Sequence, residues 1–312
     1  MNPKILTVGT AYMDVLFRMP TLPAAGETVT VEDGGTVYLA DGEGVNCAVA
    51  LAKLGAKSIL SCRLGQDIHG QRLHALLSEA GVDTSPIIAD PRAPTGLRLL
   101  LSDGGGQARA VLYPAANRNL TRDNLDTAFA TMPDALCLSL DLTEEIVLEA
   151  AARGAEKHLP MFLRFSCAPR EFPFAKLPGM DLVCLGEKEI ETMTGIRPNG
   201  SDASLKALLA LSKTVSSRYY VVNMGERGTF LFDGRHFSMV SPIAVKALDT
   251  AAASEAFFAA LAFEYLRTRG NVTAACKLAG AVSAITVARA GTVASLPTMG
   301  EVEQFITHNR LK

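Results

Sequence analysis

Short apolar runs alternate with amphipathic segments along almost the whole chain, and this rhythm most narrows what it can fold into. ILTVG (5–9), SILSCRLG (58–65), ALCLSL (135–140), MFLRFS (161–166), DLVCLG (181–186) and YYVVNMG (219–225) read as buried strands. Between them NCAVALAKLG, GQRLHALLSEAG, TEEIVLEAAARG, KEIETMTG and SLKALLALSK carry helical spacing. Strands buried on both faces and separated by helices are the mark of βαβ units. The alternation therefore predicts an α/β fold, three layers (α/β/α) around a mostly parallel central sheet. Its binding crevice should lie beyond the carboxyl ends of the strands.

Two segments interrupt the rhythm. ETVTVEDGGTVYLA (27–40) and TGLRLLLSDGGGQARAVLYP (95–114) hold strand-like runs around glycine-rich turns, so each reads as a hairpin-like excursion, with DGGGQ as a tight turn. Together, over about 12–40 and 95–114, they predict a small β lid beside the main sheet. No repeat, charge block or low-complexity linker divides the 312 residues, and one domain over 1–312 is expected.

A net charge of −2 gives no electrostatic reason to bind nucleic acid or an anionic membrane, which points to a small-molecule partner. The six cysteines, Cys47, Cys62, Cys137, Cys167, Cys184 and Cys276, are scattered without a CxxC pair, as core thiols would be. The opening MNPKILTVGTAYMD is too short in apolar residues for a secretion signal, and no stretch approaches the roughly 18 apolar residues of a membrane span. A cytoplasmic protein is expected. The histidines, His69, His74, His158, His236 and His308, are dispersed and pair with no motif that needs a base.

One stretch asks a chemical question. In DTAAASEAFFAAL, beginning at Asp249, small residues run straight into an apolar helix, with Glu255 where the helix should begin. The first N–H groups of a helix lack internal partners and carry the positive end of its dipole, so such a turn can hold phosphate. The plainer alternative is a helix start capped by Ser254, with Glu255 favourably placed in the first turn. Asp14, after the first strand, either bonds its own turn or faces the crevice as an acceptor for hydroxyl groups. Asn46 either caps a helix or bonds a ligand hydroxyl. Arg98, Arg118 and Arg164 are surface cations unless the fold brings them together, in which case a carboxylate or phosphate on the substrate becomes attractive.

Taken in order, these segments resemble the PfkB carbohydrate kinases, the ribokinase-like family. VGTAYMDVLF resembles that family's opening strand with a sugar-binding Asp, and DGEGVNCAVALAKLG its first glycine motif, often GGKGAN. RLGQDIHGQRLHALLSEAGVDTS, GEKEIETMTG, VVNMGERG and VKALDTAAASEAFFAAL resemble its following strand–helix block, NxxE segment, VTxGxxG loop and DTxGAGDxF signature. The match spans nearly the whole chain. It implies ATP-dependent phosphoryl transfer to a hydroxyl of a sugar, a nucleoside or a similar polyol. Substrate would be bound by Asp14, Gly42, Asn46, Arg98 and Asn117. The amides of Ala252, Ala253, Ser254 and Glu255 would form the anion hole, with Glu255 as base.

For the nucleotide the resemblance implies Gly186, Glu189, Asn223, Gly225, Gly228 and Gly280, with Mg2+ held through water by Glu189. It also suggests a monovalent cation such as K+ near Asp249 and Gly291, and a homodimer paired through exposed lid edges. DGEGVN departs from GGKGAN at Asp41 and Glu43, which argues against a simple ribose substrate, but more of the departures fall on the ATP side. Glu255 stands for Asp, Ser254 and Ala252 for Gly, Gly186 for Asn, Asn223 for Thr and Gly280 for Asn. If residue 254 needs positive φ, its Cβ is unfavourable there. A catalytically impaired homologue that binds sugar as a sensor is therefore the rival reading. A dinucleotide-dependent oxidoreductase is disfavoured, because no G-x-G-x-x-G follows the first strand.

Overall fold

A computed structural model describes residues 2–32, 34–103, 108–166 and 171–309. The chain opens with β1 (Lys4–Val8), leaves the core for β2 (Tyr12–Met19) and β3 (Thr36–Asp41), and returns through α1 (Glu43–Lys53) to β4 (Lys57–Ser61). Next come β5 (Arg63–Gly65), α2 (Ile68–Glu79), β6 (Ile88–Asp90) and a hairpin of β7 (Gly96–Asp103) and β8 (Ala108–Tyr113). From α3 (Arg122–Ala130) the alternation resumes: β9 (Ala135–Ser139), α4 (Glu144–Glu156), β10 (Met161–Arg164), β11 (Met180–Gly186), α5 (Glu187–Thr194), α6 (Ser201–Leu211) and β12 (Ser217–Asn223). The strands β13 (Thr229–Phe232) and β14 (Phe237–Val240) precede three closing helices, α7 (Ala253–Arg267), α8 (Val272–Val287) and α9 (Met299–His308).

The main sheet has eight strands in the order β14-β13-β12-β11-β10-β9-β1-β4. All six strands expected from the apolar runs lie in it, parallel to their neighbours, and the β13–β14 hairpin adds an antiparallel edge. Successive residues of a strand face opposite layers, and the two cores divide on that period. Ile5, Cys137, Phe162, Leu182 and Val221 pack with α1, α2, α7, α8 and α9. Their neighbours Leu6, Leu136, Leu163, Val183 and Val222 pack with α3, α4, α5 and α6. Helix α7 is buried from Ala256 to Tyr265, which explains its small and apolar sequence.

The second sheet, β3-β2-β7-β8, is the expected lid. Its pairing differs from the expected double hairpin in one respect. Residues 27–32 form no strand, and β3 instead pairs antiparallel with β2, while β2 runs parallel to β7. The Asp14 strand is thereby the centre of the lid, a role that alternating residues in 27–40 conceal. The DGGGQ turn lies largely outside the described residues, as does Cys167. The other five cysteines are buried and free, as core thiols should be.

Candidate active site

The chain order reverses at β1, which has β4 on one side and β9 on the other, and ligands favour the crevice beyond such a switch. A cavity of about 460 Å³ opens there. Its floor is Thr10, Asp141 and Ser166, each two residues past the end of β1, β9 or β10, and Glu255 closes one side. Tyr12, Asp41, Arg98 and Leu112 from the lid strands cover it, with Arg118 at its rim.

Asp14 and Arg98 are register partners on β2 and β7. The Arg98 Nε donates to both Asp14 carboxylate oxygens at 3.1 Å, and its Nη2 reaches Asp14 and Asp41 together. Asn46 donates to the other Asp41 oxygen. Asn46 is no helix cap, since α1 is capped at Gly42, and its amide instead fixes a lid carboxylate. Burial, and then the Asp41 charge, push the Asp14 carboxyl up to about 7, although Arg98 pulls the other way. Between the ordinary carboxylate range and about 7 the folded protein therefore holds a proton that the unfolded chain has released. The resulting stabilisation is complete at low pH and is lost as pH rises through that window. Urea unfolding at several pH values should show this fall, and Asp14→Asn should flatten it; an unchanged slope in the variant would contradict the assignment.

Asp141 was not among the residues singled out from sequence. Thr10 donates to one of its oxygens, while the other is buried without a partner among the described residues. Burial pushes its carboxyl upward. The available signal was position, because Asp141 follows β9 by the same two residues that separate Thr10 from β1. Burial, with Asp141 nearby, also pushes Tyr12 up to about 12, so its phenol stays a donor. Asn117 is a clamp: its oxygen accepts from the Ala11 N–H at 2.9 Å, and its amide donates to the Ala11 and Pro114 carbonyls at 2.8 and 3.1 Å. It lines the cleft with its N–H groups already engaged.

Gly42 has φ 117, and a Cβ there would meet the Thr10 carbonyl at 2.6 Å. The start of α1 is pressed against the turn that supplies Thr10, which only glycine allows. At the start of α7 the sequence expectation is corrected. Ala252, at φ 58, is the left-handed cap residue, while Ser254 lies inside the helix and caps nothing. The positive φ therefore falls on a residue whose single methyl bears it. Ala252→Val should cost roughly 2 kcal/mol, because a β-branched residue strongly resists that conformation, whereas Ala252→Gly should change stability by less than about 1 kcal/mol. Chemical denaturation checks both, and equal tolerance of Val and Gly would contradict the strained cap.

Ala256 N–H is bonded to the Ala252 carbonyl at 2.9 Å, and the first-turn amides ahead of it have no helical carbonyl to meet. Among the carboxylates beside them, Glu255 faces the cavity. Arg164, at the end of β10, joins this turn: its Nη2 donates to the Ser254 hydroxyl at 2.9 Å and lies 3.3 Å from Glu255, and its Nη1 pairs with Glu43.

The nucleotide-side residues are more spread. Gly186 caps α5, and the Glu189 carboxylate lies 2.5 Å from where a Cβ of residue 186 would sit. Asn223 accepts from the Gly225 N–H at 3.0 Å, shaping the turn between β12 and β13. Gly225 and Gly228 both have positive φ, as this turn requires, and Gly280 faces open space from α8. Asp249 accepts from the amides of Ala251 and Gly291 at 3.0 and 2.9 Å, which ties two loops together.

The chain has counterparts among known proteins. The pfkB family carbohydrate kinase pattern matches residues 2–299. The deoxyribokinase of Salmonella typhi is 26% identical over 308 residues, covering 98% of this chain and 99% of that one. The bifunctional ribokinase/ribose-5-phosphate isomerase A of Fructilactobacillus sanfranciscensis is 24% identical over 310 residues, and this chain spans 57% of its length. The structure of Arabidopsis thaliana ribokinase complexed with ribose and ATP matches with a TM-score of 0.87 at 24% identity, over 98% of this chain and 99% of that one. The fold is ribokinase-like. The chain belongs to the pfkB family of carbohydrate kinases.

Proposed function

We propose that this protein moves the γ-phosphoryl group of ATP to a hydroxyl of a sugar or sugar-like polyol bound in the cavity. The observation that carries this reading is that Glu255, in the first turn of α7, lines the same cavity as Asp41, Arg98 and Asp141. A base beside first-turn helix amides, of which Ala253 N–H makes a long 3.4 Å bond to the Thr250 carbonyl, faces a pocket of hydroxyl-binding groups, which is the geometry phosphoryl transfer needs. The acceptor hydroxyl oxygen forms the new bond to the γ-phosphorus, the bond from that phosphorus to the ADP oxygen breaks, and the hydroxyl proton passes to Glu255. The amides of Ala252 to Glu255 stabilise the charge that develops on the transferred group. Asp141 and the Tyr12 hydroxyl orient the acceptor.

Glu189 suits Mg2+ held through water: no hydrogen-bond partner occupies its carboxylate among the described residues, and magnesium keeps most of its waters. Bound there, the ion would supply positive charge that offsets the charge of the nucleotide phosphates. A monovalent cation at Asp249 and Gly291 fits less well, because backbone amides occupy both carboxylate oxygens, and no step depends on it. A homodimer through the lid is supported by the exposed Tyr38, Leu99, Val111 and Tyr113 on that sheet.

Because Arg98 already spans Asp14 and Asp41, a neutral diol must displace it, and an acidic sugar can instead recruit it. Calorimetry with ATP and Mg2+, followed by transfer assays over neutral sugars, nucleosides and sugar acids, tests the function. Transfer to at least one polyol class is expected. Sugar binding without nucleotide binding would favour the sensor instead.

A further inference from the structure

Arg164 occupies an unusual place for a cation. Its side chain is 10% exposed, at the carboxyl end of β10 beneath the starts of both α1 and α7. Helix starts carry the positive end of the dipole, so a guanidinium there is unfavourable unless carboxylates offset it. Two do: Glu43, the first residue of α1, and Glu255, in the first turn of α7. The Ser254 hydroxyl accepts from Nη2, the nitrogen that also faces Glu255, at 2.9 Å, and donates to the other Glu255 oxygen at 3.4 Å.

From this geometry, and resting on the reading of Glu255 as base, we infer that Arg164 and Ser254 position its carboxylate, and that the three residues work as one unit. A glutamate carries one more rotatable bond than an aspartate, and its longer reach must be fixed before it can meet an acceptor hydroxyl. The planar guanidinium holds one oxygen from below, and the serine hydroxyl approaches the other from the adjacent residue. Ser254 and Glu255, which separately look like losses from a Gly–Asp pair, are here two halves of one substitution whose third member is Arg164. Misplacement of a reacting group by about 1 Å can lower a rate by roughly 10²-fold.

The test is a set of variants assayed by single-turnover phosphoryl transfer, with kcat and KM for the acceptor. Arg164→Lys keeps the charge but loses the fork, and should lower kcat about tenfold or more with KM changed less than threefold. Arg164→Met should lower kcat by roughly 10²-fold. Glu255→Asp should also lose rate in the native background, because the shorter carboxylate no longer reaches Arg164. In the Glu255→Gln background, Arg164→Lys should have no further effect.

If the losses multiply in the double variant, or if Glu255→Asp raises the rate, the positioning role is wrong while the base reading stands. If Glu255→Gln keeps the full rate, both are overturned. Arg164→Lys guards against misfolding, and its melting temperature should stay near that of the native protein; a loss of kcat that tracks only a loss of folded protein would also overturn the inference.

Discussion

Glu255→Gln is expected to lower kcat by roughly 10² to 10⁴-fold while leaving acceptor affinity within a few-fold of native. The amide is nearly isosteric, can still bond Ser254 and Arg164, and cannot take the hydroxyl proton. Because only the transition state needs that proton moved, kcat and kcat/KM should fall together. Steady-state kinetics with the best acceptor, alongside calorimetry of acceptor binding, separates this from a binding defect. A variant that binds tenfold more weakly at unchanged kcat would make Glu255 a substrate ligand and leave the base unidentified.

Gly42→Ala is expected to destabilise the protein by roughly 3 kcal/mol, through a side chain forced to positive φ and overpacking against fixed backbone. Its Cβ would lie 2.6 Å from the Thr10 carbonyl and 3.0 Å from the Ala11 Cα. Relief would require α1 to move away from the β1–β2 turn, and that turn carries Thr10, which donates to Asp141. The variant should therefore lose acceptor affinity as well as stability. Gly280→Ala is the control: no atom lies within 4 Å of its Cβ position, and alanine in a helix should gain up to about 1 kcal/mol. Denaturant unfolding of both variants checks the contrast, and a neutral Gly42→Ala would mean that the helix start is not pinned.

The main sheet was legible because its parallel strands are buried on both faces and read as unbroken apolar runs. The six runs from ILTVG to YYVVNMG all became strands of it. The lid was legible as an interruption, but its pairing was not, since nothing in 27–40 says that β3 pairs back across more than a dozen residues with β2. Of the residues singled out in the sequence, Gly42, Arg98, Asn117 and Glu255 line one cavity, while Asp14 sits behind Arg98 as its partner and Asp41, read only as a departure from the glycine motif, lines the cavity too. The position of strain was missed: φ at a helix start depends on which residue is the cap, and Ala252 rather than Ser254 takes it. Asp141 and the ties of Arg164 to Glu43 and Glu255 were hidden for a different reason. They join residues far apart in sequence, and Asp141, Arg164 and Glu43 each read alone as ordinary surface charges.

The most direct measurement is 31P NMR of the native protein incubated with ATP, Mg2+ and the acceptor that calorimetry selects, with the Glu255→Gln variant in parallel. A phosphomonoester resonance from the acceptor should grow in step with ADP, with almost none from the variant. Release of inorganic phosphate without a phosphorylated acceptor, or no turnover from a protein shown to bind both ligands, would contradict the proposed transfer.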